Sequence, residues 1–269
     1  MSFFFCPIRS GSSGNALFVQ AGKTRVLVDA GLSGKMVEQA LSGINVSPDS
    51  LVAILLTHEH SDHVKGAGVL SRRYHLPVYA TEGTWEAMQG KPGNDGIALP
   101  NRRVFAADSD FYIGDMAVSP FSIPHDAADP VGFSFYCAGR KLCVATDLGH
   151  IASGWMGAIA DADLLLLESN HDPDLLACNQ RYPARLKQRI MGKRGHLSNG
   201  DCAKALSKLV SRGVRHVILG HMSGETNTPE LARKTVCDAL SLEGIQPDVD
   251  IKVDLAYRDR MGMLYSLQG

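Results

Sequence analysis

Cysteine is sparse in this chain: six in 269 residues, at positions 6, 137, 143, 178, 202 and 237, with no C-x-x-C spacing. That scatter argues against a disulfide scaffold and for reduced thiols used as core fillers, although Cys137 and Cys143 flank an expected hairpin and would pair if its register allowed. Net charge is also nearly absent, at −1, so the whole molecule has no strong field to steer a polyanion. No apolar run reaches the roughly 18 residues that a membrane span needs, so no membrane partner is expected. The opening Met1-Ser-Phe-Phe-Phe-Cys-Pro is apolar but lacks a basic n-region and a long h-region. These features together predict a cytoplasmic protein. No repeat, low-complexity tract or linker divides the sequence, and the hydrophobic fraction of 45% supports a substantial core. One domain spanning 1–269 is expected; the oligomeric state is not legible.

What is present is concentrated. Ala53-Ile-Leu-Leu-Thr57 reads as a short buried strand, and His58-Glu-His60-Ser-Asp62-His63 follows at once. If the chain stays extended past Thr57, His58 and His60 share a face. Asp62 and His63 then stand where a helix begins, continuing through Val64 to Arg73, and an acidic side chain suits that positive end. The metalloprotease H-E-x-x-H helix does not fit, because its second histidine would fall on Asp62. Surface histidines or a helix cap would be the bland account. Three histidines and an aspartate at the mouth of a buried strand are costly unless a cation fills them, and this donor set suits zinc, manganese or iron.

The same event recurs along the chain. A hydrophobic strand ends and a His, Asp or Glu follows at 29, 58–63, 125, 147, 168–171 and 221. Strands are expected near 3–9, 15–20, 25–31, 78–80, 164–167, 216–219, 249–256 and 262–267, with one hairpin over 111–119 that turns at Gly114-Asp115 and whose partner strand ends at Ile123, and another over 132–137 and 141–145. Helices are expected near 33–42, 81–89, 201–211 and 229–243, with a loop over 90–103. Six such strand ends argue that one edge of the sheets gathers an active site on a rigid scaffold. Two readings stay open for Asp29, a cap on the helix near 33 or a carboxylate orienting a ligand histidine. Ser10-Gly-Ser-Ser-Gly-Asn15 is either an ordinary turn or a loop offering N–H groups to an anion.

His58-x-His60-x-Asp62-His63 resembles the signature of the metallo-β-lactamase superfamily. His125 with Gly132-Phe133, Asp147 in Ala-Thr-Asp-Leu-Gly, and His221 in Gly-His-Met-Ser resemble its later motifs. The resemblance implies an α/β fold, a four-layered αββα sandwich. It also implies two divalent ions, Zn²⁺ or Mn²⁺ with Fe possible. One ion would take His58, His60, His125 and Asp147, the other Asp62, His63, Asp147 and His221. Two dications some 3.5–4 Å apart need an anionic bridge, which Asp147 and a hydroxide would form.

Gly195-His196-Leu-Ser198-Asn199 looks like the His-Ser-Thr element of the tRNA 3′-processing nucleases of the superfamily. In that branch the histidine touches the scissile phosphate, and Glu168 resembles its glutamate partner. The other reading of His196 is a helix-start residue with Ser198 or Asn199 as cap. Ser10 to Asn15, Glu168-Ser-Asn-His-Asp172, Arg181-Tyr-Pro183, Gly195 to Asn199 and Asn227-Thr-Pro-Glu230 together resemble the YycJ (WalJ) subfamily over nearly the whole chain. Gly220-His-Met-Ser-Gly224 departs from that subfamily, which more often has His-Leu-Ser and then acidic and Asn residues. This leaves a pocket wall open but removes no ligand.

The resemblance implies a dinuclear-metal phosphodiesterase, a 5′→3′ exonuclease with double-stranded DNA as its substrate. Asp62, His196 and Glu168 would carry the chemistry. Ser12, Ser13, Asn15, Asn170, His171 and Ser198 would meet substrate. Arg181 to Arg194, with six basic and no acidic residues, is either a solvated helix face or a phosphate track. Three other functions stay open: a small cyclic phosphodiesterase, a glyoxalase-type thioesterase or lactamase, and a non-enzymatic nucleic-acid-binding scaffold.

Overall fold

The computed structural model describes residues 2–267; Met1, Gln268 and Gly269, the ends of the expected 1–269 domain, lie outside them. The chain begins with β1 (Phe3–Arg9), β2 (Ala16–Ala21) and β3 (Thr24–Val28), then α1 (Gly34–Gly43) and β4 (Ala53–Leu55). Next come α2 (Ser61–Val64), α3 (Ala67–Tyr74), β5 (Val78–Ala80), α4 (Glu82–Ala87) and β6 (Arg102–Val104). The second half holds β7 (Phe111–Ile113), β8 (Met116–Ser122), β9 (Val131–Cys137), β10 (Arg140–Ala145), α5 (Ser153–Ala158) and β11 (Leu164–Glu168). It continues with α6 (Pro173–Cys178), α7 (Ala184–Met191), α8 (Asn199–Val210), β12 (His216–Gly220), α9 (Pro229–Leu242), β13 (Lys252–Leu255) and β14 (Tyr265–Ser266).

Two seven-stranded sheets result, ordered β14-β1-β2-β3-β4-β5-β6 and β13-β12-β11-β10-β9-β8-β7. The period-2 alternation of strand side chains then assigns three apolar layers. Ala53 and Leu55 of the first sheet and Leu164 and Leu166 of the second point between the sheets, with Phe133 and Phe135. Ile54 points outward to α1, α3 and α4 through Val37, Leu70 and Trp85. Leu165 and Leu167 point outward to α5, α8 and α9 through Trp155, Leu206 and Val236. This is the expected αββα sandwich. Fully burying each such Leu or Phe contributes about 1.5–3 kcal/mol, which makes the strands a stiff frame.

Several local expectations change. The helix from Asp62 to Arg73 is broken, because α2 ends at Val64 and α3 starts at Ala67. The 90–103 loop ends in a short helical turn at 99–101 and enters edge strand β6. Helices α5 and α6 have no counterpart in the sequence reading, while α7 falls in the Arg181–Arg194 run, for which a helix face was one of two readings. The two closing strands are shorter than expected. Across the β9–β10 hairpin Cys143 faces Ser134 and Cys137 faces Arg140. Cys143 lies in the outer layer and Cys137 in the inner one, so the two thiols sit on opposite faces and this register does not pair them.

β3, β4, β10, β11 and β12 reach their C-terminal ends at the edges that carry the polar cluster. Parallel pairing sets β3 beside β4 and β10 beside β11 and β12. β8 runs parallel to β10 through two antiparallel steps, so His125 emerges at the same edge. Asp29, Asp147 and His221, each just past a strand, have φ of 58°, 60° and 53°. Left-handed backbone is uncommon for residues other than glycine, costs of order 1–3 kcal/mol, and gathers where function requires a side chain to be aimed.

Candidate metal centre and catalytic cleft

Side chains from four strand ends, those of β4, β8, β10 and β12, converge. His58, His60 and His125 offer nitrogens within 4.8 Å of one another, and so do the donor atoms of Asp62, His63 and His221. Asp147 stands between the groups: Oδ2 is 3.4 Å from His63 Nε2, while Oδ1 is 3.5 Å from His221 Nε2 and 3.7 Å from His125 Nε2. The seven residues expected as ligands are therefore brought together.

The rings are held from behind. His63 Nδ1 donates to Asp29 Oδ2 at 2.7 Å, and His221 Nδ1 donates to Glu168 Oε1 at 2.8 Å. His58 Nδ1 meets Thr57 Oγ1 at 3.0 Å and His125 Nδ1 meets the Gly195 carbonyl at 3.2 Å. A carbonyl or ionised carboxylate only accepts, and Thr57 Oγ1 gives its own hydrogen to Asp29, so the hydrogen belongs on each Nδ1 and the lone pair is left on Nε2. The Nε2 atoms of His58 and His125 then lie 3.0 and 3.3 Å from His60 Nδ1. Lone pairs crowded together in this way suit a cation. Asp147 Oδ2 and His221 Nε2 are buried without a hydrogen-bond partner among the described residues, a state expected of atoms that serve as ligands. The residues fit a divalent metal.

The electrostatics agree. Burial opposes charge on His221, but Asp147, Asp62 and Glu168 outweigh it and raise the ring to about 10. His63 is likewise raised, against burial, by Asp29, Asp147 and Asp62. Burial would raise the Asp62, Asp147 and Glu168 carboxyls, yet the surrounding histidines hold all three low. Burial and neighbouring rings push His58 down, and burial pushes His125 down. The cluster is an anionic pocket that draws positive charge.

Glu168 closes the far side. Its Oε1 accepts from both His196 Nδ1 and His221 Nδ1 at 2.8 Å, and its Oε2 accepts from Leu148 N at 2.7 Å and Leu197 N at 3.0 Å. His196 opens onto a cleft of about 320 Å³ with Asp147, Asp62, His60 and His221. Ser198, one of the two caps named for this helix start, caps α8, accepting from Asp201 N.

Asp29 is not a helix cap. It accepts from Thr57 N at 2.9 Å and from His63, while Ser33 caps α1. The Ser10–Asn15 turn straps the site together: Asn15 N donates to the Asp62 carbonyl at 2.7 Å, and Ser10 Oγ accepts from His221 N at 2.9 Å. Gly31 packs against the same loop so closely that a Cβ there would lie 1.6 Å from the Asp62 carbonyl oxygen.

Of the residues expected to meet substrate, Ser12 and Asn170 line the cleft; Ser13, Asn15, His171 and Ser198 do not. Asn15 is buried with its amide 2.9 Å from His63 Nε2. His171 is buried behind the site. The basic run also differs from a bare track. Arg181 pairs with Glu225, Arg189 pairs with Asp126, and Lys187 donates to the Ala177 carbonyl. Arg194 donates to the carbonyls of His125 and Ala127, which fixes the His125 loop. Tyr182, Leu186 and Ile190, at four-residue spacing, line the cleft and were not expected there. That spacing is visible in the sequence, but the surrounding charge masks it.

A sequence profile for the beta-lactamase superfamily domain matches residues 24–222. The chain is 40% identical over 244 residues to a protein of Bacillus anthracis named exodeoxyribonuclease YycJ, covering 91% of both. It is 38% identical over 253 residues to exodeoxyribonuclease WalJ of Streptococcus pneumoniae, covering 94% of both. Among solved structures, the metallo-beta-lactamase fold protein YhfI of Bacillus subtilis superposes with a TM-score of 0.72 at 16% identity, over 99% of this chain and 100% of that one. Zn²⁺-bound PqqB of Methylobacterium extorquens superposes with a TM-score of 0.70 at 17% identity, over 97% and 99%.

Proposed function

The chain belongs to the beta-lactamase superfamily, and from that membership we propose that this hydrolase is a metal-dependent exodeoxyribonuclease with two divalent ions in its site. The names of its 38–40% identical relatives support the DNA substrate. The observation that carries the chemistry is the His196–Glu168 pair at 2.8 Å on the rim of the histidine and aspartate cluster. A thioesterase or lactamase needs the cluster, but it has no need of a second proton-handling histidine facing the same cleft.

His58, His60 and His125 would hold one ion and Asp62, His63 and His221 the other, with Asp147 shared. Zinc and manganese both suit these donors, as does iron. Bound there, such ions supply Lewis-acid polarisation of the phosphate and a water of lowered pKa. Asp29 and Glu168 keep the ligand rings in the tautomer that points Nε2 at the site. Asp62, partly exposed at the cleft, accepts the proton of the attacking water. Glu168 accepts a hydrogen bond from His196 Nδ1, so Nε2 is the atom that meets substrate; in its imidazolium form the ring gives the Nε2 proton to the departing oxygen and keeps the one on Nδ1. Ser12 and Asn170 border the phosphate. The direction of digestion is read as 5′→3′ on duplex DNA.

A second reading, hydrolysis of a small cyclic phosphodiester, has one observation in its favour: α7 walls a cleft of only about 320 Å³. The test offers 5′- and 3′-labelled duplex, single strands, a cyclic dinucleotide and bis(p-nitrophenyl) phosphate to protein supplied with Mn²⁺ or Zn²⁺. Mononucleotide release from the 5′ end of duplex supports the exonuclease. Turnover of the cyclic ester with DNA untouched replaces it with the second reading.

A further inference from the structure

Beside the catalytic cleft lies a second cavity of about 450 Å³, and His60 and Ser61 border both. Resting on the nuclease reading above, we propose that this cavity is a subsite for the nucleotide next to the bond being cut. Its walls are apolar where Val64, Pro92 and Gly93 meet, and Lys65 and Lys91 stand on its rim. Both lysines are exposed, and neither ammonium has a hydrogen bond or ion pair among the described residues. Glu59 also lines the cavity, but both its oxygens accept from Ala128 N, at 3.1 and 3.3 Å.

The walls are rigid. Lys65 N donates to the Ser61 carbonyl at 3.1 Å, so Lys65 is anchored to the helical turn that carries Asp62 and His63. The opposite wall packs so tightly that a Cβ on Gly93 would lie 2.5 Å from the Val64 side chain. A polynucleotide is the ligand this combination fits. Its sugar and base edge suit the apolar wall, its next phosphate suits two ammonium groups without an ion pair among the described residues, and the cavity shares His60 and Ser61 with the cleft where the scissile phosphate must sit. The subsite would extend the reach of the enzyme from one phosphodiester to the strand on one side of it.

The two lysines are tested in the full-length, metal-loaded protein with the double variant Lys65→Ala/Lys91→Ala. Binding of a phosphorothioate-blocked single strand is measured against salt, alongside hydrolysis of bis(p-nitrophenyl) phosphate. Each phosphate contact contributes about 0.7 to the slope of log affinity against log salt. The variant is expected to flatten the slope by about 0.7, Lys65→Arg/Lys91→Arg to restore it, and the small ester to turn over at the wild-type rate. An unchanged slope, or equal loss on the small ester, overturns the subsite. Wild-type protein that hydrolyses the small ester but no DNA overturns the nuclease reading instead.

Discussion

Glu168 Oε1 lies 2.8 Å from His196 Nδ1, and the same oxygen holds His221 at the same distance. One buried carboxylate therefore positions both the proposed acid and a proposed ligand. His196→Ala removes only the acid. It is expected to lower kcat on DNA by about 10²–10⁴-fold with metal content unchanged, as read by steady-state kinetics and elemental analysis. Glu168→Gln is expected to lower kcat as well, and also to weaken metal binding by about 10–100-fold.

Asp29 reaches no substrate, yet it receives His63 Nδ1 at 2.7 Å. Asp29→Asn should weaken metal affinity by about 10–100-fold with little change in circular dichroism. Titration with a fluorescent zinc competitor measures the difference. Equal affinity in the two proteins would remove Asp29 from the ligand support.

Gly31 gives a sharper steric case. An alanine Cβ would collide with the Asp62 carbonyl oxygen at 1.6 Å, pushing the 60–63 turn away from Asp147 and His221. Gly31→Ala is expected to lower metal occupancy and turnover together. Wild-type occupancy in a folded variant would contradict this packing.

His221 is raised from 6.5 to about 10 and His63 is also raised, so in metal-free protein a proton competes with the metal for these rings at pH 7. A ligand histidine must lose its proton, and metal binding at pH 7 should release protons. Calorimetry in buffers of different ionisation enthalpy counts them. For folding the sign is set by the raised value: the contribution of His221 to metal-free stability is full below pH 6.5 and is lost as pH rises from 6.5 to about 10. Metal-loaded protein should lack that decline. Absence of proton release at pH 7 would overturn the electrostatic account.

Stability resides in the layer between the sheets. Leu166 is fully buried there, and Leu166→Ala should cost about 2–5 kcal/mol in urea unfolding without changing the ligand set.

The layers were legible because burial imposes period 2: Leu164 to Leu167 already reads as a strand facing two cores. The cluster was legible because its donors stand directly after such strands. Helix α6 was not, and α7 was visible only as one of two readings of a basic run. Their residues make few buried contacts, so no apolar stripe exceeded the charge around them. Asn15 and Ser198 were expected at the substrate from their places in the Ser10–Asn15 and Gly195–Asn199 motifs. In the fold, backbone N–H groups and ligand rings take their side chains first. The charge of Arg181 to Arg194 was visible, but its internal use by Glu225, Asp126 and the 125–127 carbonyls depended on contacts 44 to 69 residues away.

Anomalous diffraction from crystals grown with Mn²⁺ tests the central claim directly. Two peaks are predicted, one among His58, His60 and His125 and one among Asp62, His63 and His221, with Asp147 reaching both. A map with no peak between these side chains, or with ions bound only elsewhere, would contradict it.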